Sequence, residues 1–285
     1  MLKNSYSIVI PAKNEAVRLE QFLPELVAAH PEAEIIVVDD GSEDNTAEVA
    51  TRCGALVLSH PYSKGNGAAI KTGVRAASKT NVLFMDGDGQ HQVQDVAPLL
   101  EKLEQGYDLV VGARNGLGAQ ASILRWGANG FYNKLSSWMV GHNIPDLTSG
   151  MRAARREKFL EFLYLLPNGF SYPTTSTMAF YRAGYSVDFV PIVCKKREGK
   201  SHISIWRDGI RFLLIIFKIG TLYSPLKLFF PIATVFFGSG LGYYLFTYIT
   251  SGRFTNMSLL LFVSSVIIFL IGLISEQVSN LTYKD

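Results

Sequence analysis

The sequence predicts an α/β protein with a mostly parallel sheet, followed by a part that crosses a membrane twice. Short β-branched strands alternate with helical patterns over roughly the first 200 residues, and acidic clusters follow several of the strands. Beyond residue 221 two long runs carry almost no charge. We therefore expect a cytoplasmic domain at 1–202, an amphipathic interfacial helix at 203–221 and a membrane hairpin at 222–285.

The strands and helices alternate in the order of βαβ units. The segments YSIVIPA and EIIVVDD are short and apolar, and a helical pattern separates them. The segments ALVLSH and VLFMDGDG continue this order after further helical stretches. Such an order predicts a mostly parallel sheet covered by helices, in which ligands bind beyond the carboxyl ends of the strands.

Acidic residues lie at these predicted strand ends. Glu15 follows the first strand, Asp39 and Asp40 follow the second, and Asp86 and Asp88 follow the fourth. Because a glycine follows each residue of the last pair, the backbone can bend so that both carboxylates face one hard cation, Mg²⁺ or Mn²⁺. Mg²⁺ usually shares its coordination with phosphate oxygens, which predicts a substrate that carries a diphosphate. A merely solvated acidic loop also fits the spacing.

Neighbouring segments are consistent with a nucleotide. In VVDDGSEDNT a carboxylate can accept hydrogen bonds from a base or a ribose, although a helix N-cap and a turn fit equally well. Gln90 and His91 can supply metal or phosphate contacts, or they can cap a helix that begins near Val93. The KGNGAAIKTG segment excludes a dinucleotide fingerprint, because Ile70 stands where that motif needs glycine.

Charge and cysteine content exclude several classes of protein. The net charge is only +3 and the basic residues are scattered, so we expect no nucleic-acid partner. Cys53 and Cys194 lie far apart, which predicts neither a zinc site nor a disulfide framework. The first residues run directly into a strand, so we expect no signal peptide.

Two predicted spans, at about 226–249 and 257–276, are long enough for a hydrocarbon core of about 30 Å. Buried core helices are the alternative. Basic residues concentrate before the first span, whereas the turn carries only Arg253, so the positive-inside rule places the domain and both termini in the cytoplasm. The basic and aromatic segment 203–221 suits the membrane surface, or else a core-facing helix. Small residues in the first span would allow close helix packing and a homo-oligomer; they are Gly238, Ser239, Gly240 and Gly242.

Six motifs in register carry a resemblance that covers nearly all of residues 5–200. They are IVIPAKNE, EIIVVDDGSEDNT, KGNGAAIKTG, FMDGDGQH, VGAR and DLTSGMRAARRE. Together they resemble the inverting family 2 glycosyltransferases of the GT-A fold. Within these, the chain is most similar to the dolichyl-phosphate mannose synthase branch and to bacterial polyprenyl-phosphate glycosyltransferases. Some members of these groups also carry a C-terminal hairpin entered through a segment like YSPLKLF.

The resemblance implies a nucleotide site and a metal site. Asp39, with Asp40 beside it, would read the base. The residues implied at the nucleotide are Pro11, Ala12, Glu15, Asp39, Asp40, Lys64, Gly65 and Asp86. The residues implied at Mg²⁺ or Mn²⁺ are Asp86, Asp88 and Gln90.

The resemblance also implies a catalytic set and an acceptor site. Arg114 and Arg125 would hold the acceptor phosphate, although a surface ion pair is the alternative for both. Arg197 and Ser201 would lie near the diphosphate. The catalytic residues implied are Asp88, Arg114, Arg125 and Asp146. Asp146 would orient the acceptor or an arginine, or would act as a base.

The implied reaction transfers a hexose, with mannose or glucose favoured, from a GDP- or UDP-linked donor to a polyprenyl phosphate with inversion. The product would be a β-linked polyprenyl-phosphate sugar at the cytoplasmic face of the membrane. One departure concerns the branch: Gln92 follows the histidine of FMDGDGQH, where dolichyl-type enzymes often have proline.

Two other functions stay open. In a processive polysaccharide synthase a Gln-x-x-Arg-Trp motif is expected, but Ser122 replaces the glutamine in SILRW. The other alternative is a catalytically silent membrane scaffold.

Overall fold

The computed structural model describes residues 6–114, 123–169, 172–193, 221 and 224–282, without the side chains of 123–126, 128, 129 and 282. The strands are β1 (Tyr6–Ala12), β2 (Glu34–Asp39), β3 (Leu56–Ser59), β4 (Asn81–Phe84), β5 (Leu109–Arg114), β6 (Arg152–Arg155) and β7 (Val187–Ile192). The helices are α1 (Ala16–Ala29), α2 (Thr46–Arg52), α3 (Asn66–Ala76), α4 (Val96–Glu104), α5 (Ile123–Val140), α6 (Arg156–Leu160), α7 (Tyr172–Arg182), α8 (Pro225–Ser251) and α9 (Asn256–Thr282). The chain divides into two compact units, Met1–Ser201 and His202–Asp285.

The first unit contains a seven-stranded sheet in the order β3-β2-β1-β4-β6-β5-β7. The pairs β1–β2, β2–β3, β1–β4 and β5–β7 are parallel, which confirms the mostly parallel sheet predicted from the sequence. Strand β6 alone runs antiparallel, and it separates β4 from β5. Since β4 and β5 both pair antiparallel with β6, their carboxyl ends lie beside the start of β6 at one edge of the sheet.

The core fills the space between the sheet and its helices. On α1, Leu19, Leu23 and Leu26 are fully buried, because their spacing of three and four residues places them on one helix face. On the sheet, the strand residues Ile8 and Ile10 belong to the same apolar cluster. The burial of these side chains holds the sheet rigid, so the strand ends can position polar side chains.

Helix α3 lies unusually close to the sheet. A Cβ atom on Gly73 would stand 2.2 Å from Cγ1 of Val9, inside any real contact distance. Glycine therefore allows α3 to lie against β1 and β2. This close packing sets the position of the N-terminal end of α3, which faces the candidate site.

The described part of the second unit contains a hairpin of two helices, α8 and α9. Both α8 and α9 are long and apolar enough to cross a membrane, with mean hydropathies of 1.5 and 2.8. From Ala233 onward, the buried positions recur every seven residues on both helices. On α8 they are Ala233, Gly240 and Thr247, and on α9 they are Ser258, Ser265, Gly272 and Ser279. Small residues on the facing sides let the two helices approach closely, as is common between membrane helices.

Polar contacts also join the helices of the hairpin. The Ser265 hydroxyl donates a hydrogen bond to the carbonyl of Ala233 at 2.9 Å. The backbone N–H of Leu226 donates to the Glu276 carboxylate at 3.2 Å. The first N–H groups of a helix lack partners inside the helix. Glu276 therefore stabilises the N-terminus of α8, both by accepting a hydrogen bond there and by its negative charge.

The hairpin uses only part of the small-residue segment predicted at 238–242. A Cβ on Gly240 would lie 3.1 Å from Cβ of Leu261, so Gly240 packs inside the hairpin. Within the described part of the chain, a Cβ on Gly238 or Gly242 would meet no atom within 4 Å. A homo-oligomer through this helix stays a prediction. The interfacial helix predicted at 203–221 lies outside the described residues, apart from Thr221.

Candidate active site

A cavity of about 440 Å³ opens at the edge of the sheet where β1, β2 and β4 end. Of the residues assigned to a site from the sequence, those that line the cavity are Pro11, Ala12, Glu15, Asp40, Gly65, Asp86 and Asp88. The start of β6 reaches the same edge, so Thr148 and Gly150 form part of its wall. The antiparallel strand thus adds a second side to a site that parallel strands alone would leave open.

The loops that follow β1 and β2 are tied together by hydrogen bonds. Asn14 adopts a left-handed backbone with φ 55°, and its side-chain oxygen accepts a hydrogen bond from the N–H of Glu43 at 2.8 Å. The N–H of Glu15 donates to the Thr46 hydroxyl at 3.0 Å. These contacts hold Glu15 at the cavity, where it also forms an ion pair with Arg18.

Asp40 organises the loop that precedes α3. Its carboxylate accepts hydrogen bonds from the backbone N–H groups of Lys64 and Gly65, both at 2.8 Å, and from the Ser63 hydroxyl at 2.8 Å. His60 Nδ1 lies 2.7 Å from the same carboxylate. Burial alone would raise the pKa of Asp40, but these hydrogen bonds, that of His60 first, hold it below its usual value. Asp40 is therefore an ionised support for the wall formed by Ser63 and Gly65.

The turn after β2 depends on a glycine. Gly41 has φ +68°, and a Cβ there would lie 2.7 Å from the backbone N of Ser63. The loops after β2 and β3 can approach this closely only because Gly41 has no side chain. The approach explains how Asp40 reaches the N–H groups of the second loop.

Asp86 and Asp88 both line the cavity. Asp88 accepts a hydrogen bond from the N–H of Gln90 at 3.1 Å, and Nε2 of His91 lies 3.3 Å from Asp86. Burial raises the pKa of Asp86, but the hydrogen bond of His91 and the charges of His91, Arg114 and Arg152 outweigh this, so the pKa lies below its usual value. Asp86 is thus a carboxylate at neutral pH.

This pair of carboxylates fits a divalent cation that also binds phosphate. In the described part of the chain no three His, Cys, Asp or Glu side chains are grouped to hold a metal by themselves. Mg²⁺ and Mn²⁺ prefer oxygen ligands, and Mg²⁺ commonly uses one or two carboxylates together with substrate phosphates. The donor set at Asp86 and Asp88 therefore suits a cation that arrives with a diphosphate.

Gly150 leaves room for Asp86. A Cβ atom on Gly150 would lie 2.3 Å from Oδ2 of Asp86, so any side chain at this position would displace the carboxylate. We expect Gly150→Ala to weaken binding of Mn²⁺ with a nucleoside diphosphate by roughly tenfold or more, because Asp86 must move. Titration calorimetry measures this affinity.

The matched control for Gly150→Ala is Gly130→Ala, because a Cβ at Gly130 meets no atom of the described residues within 4 Å. Gly130→Ala should bind the metal and the nucleotide as the wild type does. Wild-type affinity in Gly150→Ala would show that Asp86 does not need its present position.

Arg114 and Asp146 form a bidentate ion pair beside the cavity. Arg114 Nε donates to Asp146 Oδ2 at 2.7 Å, and its Nη2 donates to Oδ1 at 2.9 Å. The same Nη2 donates to the Thr148 hydroxyl at 2.6 Å. The pair joins the end of β5 to the segment before β6, and it directs the guanidinium toward the wall that contains Thr148.

The environment of Asp146 makes it a weak base. Burial alone would raise the pKa of Asp146, but the hydrogen bond and the charge of Arg114, with N–H donors of Arg114 and Thr148, hold it below its usual value. Both carboxylate oxygens already accept hydrogen bonds. A carboxylate in this state suits the orientation of Arg114 better than proton removal.

Several predicted residues do not line the cavity. Asp39 is buried, and its Oδ1 accepts a hydrogen bond from the N–H of Ser42 at 3.0 Å. Lys64 is exposed, with its Nζ over the ring of Tyr62. Asp39, Lys64 and Gln90 are absent from the described cavity wall. Their assigned roles stay predictions.

Three further predicted residues cannot be placed. Arg125 belongs to α5, but its side chain lies outside the described part of the chain. Arg197 and Ser201 also lie outside the described residues. Their roles toward the acceptor and the diphosphate stay predictions.

Sequence reasoning missed part of the wall. The cavity residues that it did not assign are Lys13, Ser63, Asn66, Ala69, Gly87, Thr148, Gly150, Tyr172 and Pro173. Thr148 and Gly150 belong to the DLTSG motif, so this motif could have indicated that they lie at the cavity. Tyr172 and Pro173 begin α7, and no pattern in the sequence connects them with the strand ends.

Comparisons with known proteins agree with this geometry. A family model described as glycosyl transferase family 2 matches residues 7–163, and a model described as the GtrB C-terminal hairpin matches residues 224–281. The first match covers six of the seven strands of the sheet, β1 to β6, and the second covers α8 and α9. Both parts of the chain thus have relatives.

Two similar proteins act on lipid phosphates according to their names. A dolichyl-phosphate hexose transferase of Haloferax volcanii is 30% identical over 188 residues, which are 66% of this chain and 81% of that protein. An undecaprenyl-phosphate mannosyltransferase of Micrococcus luteus is 31% identical over 215 residues, which are 69% of this chain and 86% of that protein.

A solved structure shares the fold. Glucosyl-3-phosphoglycerate synthase from Mycobacterium tuberculosis, in complex with Mn²⁺, UDP and phosphoglyceric acid, superimposes with a TM-score of 0.59 at 23% identity. The match covers 75% of this chain and 78% of that one. The fold is therefore GT-A, as the sequence predicted. With a family match that spans more than half of its residues, the chain belongs to glycosyl transferase family 2.

Proposed function

We propose that this enzyme transfers a hexose from a nucleoside diphosphate sugar to a polyprenyl phosphate, with inversion at the anomeric carbon. The observation that carries the proposal is the union, in one chain, of a carboxylate-lined GT-A cavity with a hairpin, residues 224–281, that matches the GtrB C-terminal hairpin family. Mannose and glucose are the favoured sugars, carried by GDP or UDP.

The cavity suits the donor in size and chemistry. Its volume of about 440 Å³ lies within the range of about 300–1,000 Å³ that small-ligand sites commonly have. Ser63, Gly65 and Asn66 line one part of it, and Asp86 and Asp88 line another. We assign the first part to the nucleoside and the second to the diphosphate, with Asp39 and Lys64 as further contacts to the base.

Asp86 and Asp88, with Gln90, would hold Mg²⁺ or Mn²⁺ on the diphosphate. When bound, the cation stabilises the negative charge that builds on the leaving phosphate. The protein contributes the two carboxylates, and Gly150 leaves room for that of Asp86. Electrostatic stabilisation of this kind is usually the largest part of such catalysis.

The acceptor phosphate needs a cationic contact more than it needs a base. A phosphate monoester has a second pKa near 6, so it is largely dianionic at neutral pH and is already a nucleophile. Arg114, held by Asp146, would bind it together with Arg125, while Arg197 and Ser201 would lie near the diphosphate. We assign Asp146 the orientation of Arg114, because the ion pair occupies both of its oxygens.

The hairpin would bring the enzyme to its acceptor. A polyprenyl phosphate keeps its head group at the membrane surface and its tail in the bilayer. Two spans, with the catalytic domain and both termini in the cytoplasm, would keep the cavity on the side where nucleotide sugars are made. This topology follows from the basic residues that precede the first span.

A transfer assay tests this proposal. The full-length protein is incubated with radiolabelled GDP-mannose, UDP-glucose or UDP-GlcNAc and with polyprenyl phosphate, polyprenol or 3-phosphoglycerate. We expect label in the lipid extract only with polyprenyl phosphate, and with a mannose or glucose donor. Label on polyprenol, on 3-phosphoglycerate or in a growing polymer would contradict the proposal.

A further inference from the structure

Arg152 is an arginine in the interior of the protein. It is 0% exposed and is the largest fully buried side chain among the described residues. It begins β6 directly opposite Phe84, the last residue of β4, so it lies behind the turn that carries Asp86. Sequence reasoning gave it no role, because arginine in a short strand is normally expected at the surface.

The hydrogen-bond partners of Arg152 are all neutral. Nη1 donates to the carbonyl of Pro173 at 2.7 Å, to the Ser176 hydroxyl at 2.7 Å and to the Thr177 hydroxyl at 3.1 Å. Nη2 donates to the carbonyl of Ser149. Nε is buried and has no partner within the described part of the chain. None of the ion pairs among the described residues includes Arg152.

A buried cation without a carboxylate in contact is costly. Burial lowers the pKa of Arg152 to about 10, which still leaves the guanidinium protonated at neutral pH. Apolar side chains of similar volume usually pack in such positions at less cost in stability. The charge therefore requires an explanation beyond the packing of this strand.

The surroundings of Arg152 indicate where its charge acts. Tyr172 packs against it, with 5.7 Å from the guanidinium carbon to the ring centre, and Tyr172 lines the cavity. The carboxylates whose charges interact with Arg152 are first Asp146 and then Asp86, whereas Arg114 adds a like charge. The guanidinium thus contributes positive potential to the part of the cavity that contains Asp86.

We propose that Arg152 is a positioning residue whose buried charge makes cation binding depend on the donor diphosphate. The inference rests on the proposed function, since it assumes a nucleoside diphosphate at Asp86 and Asp88. The charge opposes a divalent cation that binds alone, because like charges repel. It favours the diphosphate, because opposite charges attract. Arg152 would thereby discourage occupation of the carboxylates by a free cation.

Two substitutions separate this role from a structural one. Arg152→Met removes the charge and keeps most of the length, and Arg152→Lys keeps the charge but loses most of the hydrogen bonds. In the full-length protein we expect Arg152→Met to bind Mn²⁺ alone roughly tenfold more tightly, and to bind metal-free UDP or GDP roughly tenfold more weakly. Arg152→Lys should keep both affinities near those of the wild type. Titration calorimetry and the electron paramagnetic resonance signal of free Mn²⁺ measure them.

A merely structural Arg152 would give a different pattern. Weaker binding of both Mn²⁺ and nucleotide in Arg152→Met, or the same behaviour in Arg152→Lys, would overturn the proposal. If Arg152→Met does not fold, the double variant Ser176→Ala and Thr177→Val decides, because it removes hydrogen bonds to Arg152 and retains the charge. Wild-type affinities in that variant support the proposal, and a tenfold change in either affinity overturns it.

The same measurements distinguish a failure of the proposed function. If the wild-type protein bound neither UDP nor GDP, with or without Mn²⁺, the proposed use of a nucleoside diphosphate sugar as donor would be wrong. If the wild type bound one of them, and Arg152→Met shifted the affinities for Mn²⁺ and for the nucleotide in the same direction, only the role proposed for Arg152 would be wrong.

Discussion

Asp88→Ala is expected to lower sugar transfer to less than about a tenth of the wild-type rate, because a carboxylate is lost where a cation would neutralise the leaving diphosphate. Asp88 lines the cavity beside Asp86, and the described residues offer no group of three potential ligands that could replace it. Mn²⁺-dependent binding of the nucleotide should be lost as well. The measurements are transfer of radiolabel to polyprenyl phosphate and calorimetry with UDP or GDP.

A matched control for Asp88→Ala is Glu104→Ala, which removes an exposed carboxylate at the end of α4. Glu104→Ala should transfer sugar at the wild-type rate. If Asp88→Ala transferred sugar at more than about a tenth of that rate, the assignment of Asp88 as a metal ligand would be wrong.

A variant that ends at Leu222 is expected to lose most of its transfer to a long polyprenyl phosphate in vesicles. The sheet and the cavity belong to the first compact unit, so the shortened protein should fold and bind nucleotide with near-native affinity. It would no longer reside at the surface where the acceptor is concentrated, and an interfacial segment alone gives only reversible attachment. Transfer to a short, water-soluble prenyl phosphate should fall much less.

The comparison of the two acceptors decides what the hairpin does. Equal impairment on the soluble analogue, with nucleotide binding intact, would mean that the spans shape the active site itself. Full activity in vesicles without the hairpin would mean that α8 and α9 are unnecessary for access to the lipid.

The parallel part of the fold was predictable because its signals are local. Strands β1 and β2 are continuous apolar runs, and the leucines of α1 repeat at helical spacing, so each segment indicates its own structure. The antiparallel strand β6 carries no such signal. This strand has only four residues, RAAR, and two of them are arginines. Its pairing with β4 joins positions that lie about 70 residues apart in the sequence.

The candidate site was predictable where its residues follow a strand directly. Asp40, Asp86 and Asp88 line the cavity because the carboxyl ends of parallel strands share one edge of the sheet. Tyr172 reaches the same cavity from the beginning of α7, which only the tertiary fold brings there.

Hydrogen bonding could not be predicted from the motifs alone. Asp40 was assigned to a nucleotide, yet its carboxylate holds the backbone N–H groups of Lys64 and Gly65. Asp146 was left between base and orienting group, and its ion pair with Arg114 favours the second role. Partners of this kind lie far apart in the chain, so no spacing rule reveals them.

The structure of the reaction product tests the central claim most directly. A donor labelled with carbon-13 at C1 of the hexose is incubated with the full-length protein and polyprenyl phosphate, and the lipid product is analysed by carbon and phosphorus NMR. We predict a phosphodiester between C1 of one hexose and the polyprenyl phosphate, with the β configuration that follows from inversion of an α-linked donor. An α-linked product, or labelled sugar joined to another sugar, would contradict direct displacement by the lipid phosphate.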